Sequence, residues 1–168
     1  MKKLLFMAAL CCMTFTSANA QQVFNRILDK ANGIANDRTM DMEKRKVATF
    51  EVDALNYMAM KAREVTPDAK VIELDRQALA MYEYVNMFLD EVTKARKKKE
   101  RLEVVRIFKE TSLYYPRFHD TDKELVMSYY DNAKFLTQFS LDTDWEKALA
   151  EVKKVMTLVK SHNHKDYR

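Results

Sequence analysis

Glycine occurs once and proline twice in these 168 residues, whereas glycine alone usually makes up about 7% of a chain. Sheets, barrels and glycine-lined nucleotide folds depend on such turn residues, and a chain this short of them excludes those folds. Cysteine occurs only as Cys11 and Cys12, inside a segment read below as removed. Once that segment is gone, the chain has no thiolate for a disulfide, a metal or a nucleophile. A large charge of one sign is missing as well, since the formal net charge is +4. Lys2 and Lys3 are two of the 29 basic residues, so the chain beyond residue 20 carries 27 against 25 acidic. That balance lacks the basic excess of a nucleic-acid binder, and no nucleic-acid partner is expected.

Long hydrophobic runs are confined to the N-terminus. Met1-Lys2-Lys3 is a short basic region, Leu4 to Met13 is apolar, and Ala18-Asn19-Ala20 puts small residues at the two positions a signal peptidase inspects. This is the pattern of a secretory signal, too short for the ~20 apolar residues of a membrane span. Residues 1–20 are therefore expected to be a signal peptide cleaved after Ala20, leaving 21–168 as the mature domain in the periplasm or outside the cell. A lipoprotein signal would want a small residue before its cysteine, whereas Leu10 precedes Cys11. No transmembrane segment is expected in the mature chain.

What the chain does have is helical periodicity. Val71, Leu74, Ala78, Met81, Val85, Phe88, Val92 and Ala95 follow at alternating steps of three and four, which places them on one stripe. Between Ala78 and Leu89 the sequence is apolar nearly all round, as in a helix surrounded by others. The spacing predicts an all-α bundle of about five to six helices with a central helix over roughly 67–97. Before it, Gln21 to Ala31 forms a short helix that Asn32-Gly33 ends through a left-handed cap. Met40 to Val65 forms a second, with Val47, Phe50, Ala54, Met58, Ala62 and Val65 on its face. Thr66-Pro67 marks the boundary. The stripe fails at Lys97-Lys98-Lys99 and resumes out of phase at Leu102, Val105 and Phe108, which favours a joint near Lys97 to Arg101. Thr121-Asp122-Lys123-Glu124 and Thr143-Asp144-Trp145-Glu146 match the capping box. The first is expected to open a helix burying Leu125, Val126, Tyr129, Ala133 and Leu136. The second opens a last helix showing Trp145, Leu149, Val152, Met156 and Val159, with a frayed tail from His162.

Candidate chemistry is sparse. Asp120, Asp122, Glu124, Asp142, Asp144 and Glu146 alternate as calcium ligands do, but the glycine and the final glutamate of a calcium loop are missing, and helix capping explains them. His162 and His164 are two apart, so they point to different sides of a helix. His119 stands alone. No metal, cofactor or catalytic set is therefore assigned. Arg96, Lys97, Lys98, Lys99 and Arg101 form a dense basic patch without interleaved aromatics. Tyr114, Tyr115 and Phe118, around Pro116, are the candidate contact surface for a partner, since Tyr is enriched at binding sites.

The signal segment and the composition resemble those of small exported all-helical bacterial proteins whose function is not established. Periplasmic helical chaperones have a similar profile, but their L-T-x-x-Q signature is not met by Leu136-Thr137-Gln138-Phe139-Ser140. The functional expectation is a non-enzymatic protein-interaction module of the bacterial envelope with a protein partner. The alternatives are a chaperone-like binder of unfolded proteins, and a haem or metal carrier or enzyme.

Overall fold

The computed structural model describes residues 22–65 and 71–165. The expected signal segment with its Ala20 cleavage point, Gln21 and the Thr66-Pro67 boundary lie outside the described residues. Six helices follow in order: α1 (Gln22–Asn36), α2 (Met42–Val65), α3 (Val71–Lys94), α4 (Lys98–Tyr114), α5 (Lys123–Val126) and α6 (Trp145–Lys165). No strand occurs among the described residues. None of the helices there is long and apolar enough to cross a membrane.

α3 is the hub and packs against α1, α2, α4 and α6. Its stripe explains why, because Ala78, Met81, Val85, Phe88 and Val92 are all buried, with Ala80 and Tyr84 filling the flanks. α1 runs in the same direction as α3: the Phe24 amide donates to Asp75 Oδ1 at 2.9 Å near one end, and Lys30 Nζ to the Tyr82 hydroxyl at 2.5 Å further on. α6 does likewise, with Arg76–Glu146 at 2.6 Å, Glu83–Lys153 at 2.6 Å and Glu91–Lys160 at 2.8 Å in succession. The first two pairs are largely exposed and contribute under about 1 kcal/mol each, whereas Glu91 is buried. The pairs set register while the buried Trp145, Ala148, Val152 and Met156 hold α6 in place. α4 turns back on α3 after the short joint at 95–97, and Tyr84 and Phe88 meet Phe108 at 5.1 and 5.4 Å between ring centroids. The break at the lysine run is thus a helical hairpin. Glu100 makes it by accepting the amides of Arg96 and Lys97, both at 3.2 Å.

Four expectations are corrected by the fold. α1 passes through Gly33 and ends at Asn36. Gly33 is not in the left-handed region, and Asp37 stops the chain by accepting the amide and hydroxyl of Thr39. A Cβ at Gly33 meets nothing within 4 Å, so Gly33→Ala is expected to raise stability by about 0.5–1 kcal/mol in denaturant titrations. Each capping box slips by one residue. Asp122 caps α5 by accepting the Leu125 amide, and Asp144 caps α6 by accepting the Lys147 amide at 3.3 Å. Thr143 instead turns its hydroxyl inward to Ser112 O and Ser140 O at 2.9 and 2.7 Å. On α4 the buried face is Val104, Ile107, Phe108, Thr111 and Ser112, and Leu102 is 59% exposed. The tail from His162 stays helical to Lys165.

The largest departure follows α5. The long helix expected after Asp122 stops at Val126, and residues 127–144 run as turns and extended chain. Asn132 breaks the turn by bonding the Lys134 amide at 3.1 Å, a local competitor to helix. Leu125 and Ala133 are exposed. The whole excursion leaves from Tyr115 and returns to it, the Asp144 amide donating to Tyr115 O at 2.7 Å. Between those points it packs onto α2 and α4: Tyr129 reaches Asp53 at 2.5 Å, and the Ser140 amide reaches Ser112 Oγ at 3.1 Å. Phe139, 1% exposed, is driven into the centre of the bundle. The nearby Thr137 hydroxyl is buried with no hydrogen-bond partner among the described residues. Burying an unpaired hydroxyl costs about 1–3 kcal/mol, so isosteric Thr137→Val is expected to stabilise the fold by about 1 kcal/mol, read as a rise in melting temperature.

Candidate functional site

The residues singled out from sequence do not come together. Tyr114 is 78% exposed and stacks edge-on against Tyr115, ring centroids 5.3 Å apart. Phe118 packs on Tyr57 at 6.1 Å, against the core. One ring of the three is thus a surface group and another is a structural one. Arg96, Lys97, Lys98, Lys99 and Arg101 are exposed around the α3–α4 joint, with Glu100 and Glu103 among them.

Of the alternating acids, Asp120, Asp122, Asp142, Asp144 and Glu146 are occupied by protein donors. Asp142 accepts three backbone amides, those of Arg117, Phe118 and Asp120. Asp120 takes the Tyr57 hydroxyl at 3.1 Å and Lys61 Nζ at 3.0 Å. The Asp122 amide, with Lys61 and Tyr57, holds its carboxyl below the usual range against desolvation. Glu146 holds Arg76, and Gln77 bridges Asp144 to the Trp145 amide at 3.0 and 2.7 Å. Among the described residues no group of three or more His, Cys, Asp or Glu is placed to hold a metal ion.

A different place gathers apolar surface and a buried carboxyl. A half-open groove of about 380 Å³ lies between α1, α2 and α3. α1 gives it Ile27, Lys30, Ala31 and Ile34, and α3 gives Tyr82, Asn86 and Leu89. From α2 come Val47, Ala48 and Glu51, with Glu43 and Lys44 at the mouth. Leu136 of the excursion and Met40 of the α1–α2 link close the sides. Glu51 is 7% exposed and forms no hydrogen bond or ion pair among the described residues. Its nearest counter-charge, Lys30, donates to the Tyr82 hydroxyl instead and lies 4.9 Å from the centre of that ring. Burial pushes the Glu51 carboxyl up to about 7, with the Lys30 charge pulling weakly the other way.

That shift has a sign in stability. In the folded chain Glu51 keeps its proton to about pH 7, whereas an unfolded glutamate loses it near pH ~4.3. Between those values the folded state binds the extra proton, so stability falls as pH rises through this window. Glu51→Gln is expected to remove on the order of 2 kcal/mol of that slope between pH 5 and 8, as measured by urea midpoints across pH.

Sequence reasoning passed over Glu51, although its signal was present. It falls three or four residues from Val47, Ala48, Ala54 and Leu55, in the middle of the buried face of α2. An acid in such a seam needs either a partner or a purpose. Comparison with protein-family models, curated proteins and solved structures finds no match to this chain.

Proposed function

We propose that the protein is a non-enzymatic protein-interaction module of the bacterial envelope, and that the groove between α1, α2 and α3 receives its partner. The observation that carries this reading is the groove itself, apolar-walled, half-open and about 380 Å³ in volume. Pockets of this size take a ligand or a few inserted side chains, and anchor residues at interfaces fill such pockets. The envelope location rests on the signal pattern of Met1 to Ala20. The chaperone-like alternative asks for a broad concave apolar face, and a groove of these dimensions favours one defined contact. The enzymatic alternative has Glu51 on its side, because a carboxyl near 7 suits proton transfer.

Asn86 is exposed at the groove edge, so Asn86→Trp covers the opening without entering the core. A crosslinked pull-down from envelope extract with residues 21–168 is expected to yield one stoichiometric partner, lost in Asn86→Trp. Recovery of the same partner by both proteins moves the interface elsewhere. A broad set of unfolded envelope proteins supports the chaperone reading.

A further inference from the structure

We infer that the groove recognises a primary ammonium group on an apolar stem, a lysine side chain of the partner protein, with the Glu51 carboxylate as its acceptor. The inference rests on the interaction reading above and names the chemistry of the contact. Three features support it. Glu51 is buried, lines the groove and lacks a partner among the described residues. The walls around it, Ile27, Ile34, Val47, Ala48 and Leu89, match a run of methylenes, and the other lining acid, Glu43, is exposed and paired with Lys46. The one cation within electrostatic reach of Glu51, Lys30, is held on Tyr82.

An unpaired carboxylate in such surroundings is costly, and a charge-assisted hydrogen bond from an ammonium relieves the cost. A neutral alcohol does so less well, and a carboxylate ligand adds like charge. The lysine stem is itself apolar and buries readily while its head is paired. The other titratable groups facing the groove are Lys30 on α1, Glu43 and Lys44 on α2, and Tyr82 on α3. Lys30, Glu43 and Lys44 are exposed, and Glu43 is paired with Lys46 at 2.9 Å. Glu51 is thus the buried group whose charge the ligand meets. Because burial holds its carboxyl near 7, binding of the cation strengthens as pH rises towards 8 and weakens below 7.

The test uses hexylammonium, hexanol and hexanoate as probes, titrated into residues 21–168 and followed by amide chemical shifts. At pH 8 hexylammonium is expected to saturate the groove amides at least about tenfold more tightly than hexanol. That preference disappears in Glu51→Gln, whose fold is checked by circular dichroism. Below pH 7 the hexylammonium affinity falls by about tenfold per unit. Tighter binding of hexanoate, or an unchanged preference in Glu51→Gln, overturns the inference. A second arm separates the sources of the ammonium. Capture of the partner by wild-type protein is expected to be lost when the extract is lysine-acetylated beforehand. If hexylammonium binds as described but acetylation leaves capture intact, the lysine assignment is overturned. If no partner is captured and free amines bind, the interaction reading is the part that fails.

Discussion

Phe139→Ala is expected to cost about 4 kcal/mol of stability, in the range of roughly 3–5 kcal/mol for a buried phenylalanine truncated to alanine. The ring lies 5.5 Å from Phe50, 5.4 Å from Tyr84 and 5.1 Å from Phe88, each edge-on. It therefore ties α2 and α3 together from a segment that belongs to neither. The surrounding rings are pinned from other sides, Phe50 by Tyr129 and Trp145, and Tyr84 by its hydroxyl on Phe108 O at 2.5 Å. They cannot collapse into the space left, and a cavity that stays open is the costly kind. Leu102→Ala serves as the control, because that side chain is 59% exposed and its loss is worth under about 0.5 kcal/mol. Equal urea midpoints for the two variants refute the central position of Phe139.

Periodicity was enough to read the helices whose apolar residues recur through several turns. α2, α3 and α6 are of that kind, although Val65 at the end of the expected α2 face is 58% exposed, and in α3 Ala78, Met81, Val85, Phe88 and Val92 of the stripe are buried. That the helix breaks near the lysine run was legible for the same reason, since Lys99 falls where the seam needs an apolar group. The joint, however, lies at 95–97, and the expected Lys97 to Arg101 stretch is mostly the start of α4. Periodicity misleads where tertiary contacts decide. Leu125, Tyr129, Ala133 and Leu136 have helical spacing, but Tyr129 is taken by Asp53 and Phe139 by the bundle centre, and a helix cannot satisfy both. Thr143 looked like a cap because threonine caps helices well. Ser112 O and Ser140 O recruit its hydroxyl from parts of the chain far away or differently folded. Phe118 was grouped with Tyr114 by proximity in sequence, but Tyr114 is exposed while Phe118 packs against Tyr57 and the core. The groove was the least legible part. Its walls come from α1, α2, α3 and Leu136, and no single window of sequence contains them.

Asp142→Ala is expected to cost about 4 kcal/mol, and to do so locally. The carboxylate accepts the amides of Arg117 and Phe118 through Oδ1, at 3.0 and 2.8 Å, and that of Asp120 through Oδ2 at 2.9 Å. The acceptor is 3% exposed and its three amide donors are part-buried, so removing it costs up to roughly 1–3 kcal/mol for each donor left unpaired. Asp142→Asn keeps the shape but turns one acceptor into a donor facing an amide, and about 2 kcal/mol is expected to go. The measurement is amide hydrogen exchange: Arg117, Phe118 and Asp120 should lose protection while Phe88 and Val152 in the bundle keep theirs. Uniform loss across the bundle contradicts a local strap. The consequence reaches the groove, because this carboxylate fastens the return of the same excursion that carries Leu136 into the groove wall. Loosening the strap at Asp142 should therefore weaken hexylammonium binding while leaving Glu51 and α1 to α3 in place. That links a buried acid at one end of the excursion to the shape of a site formed at the other.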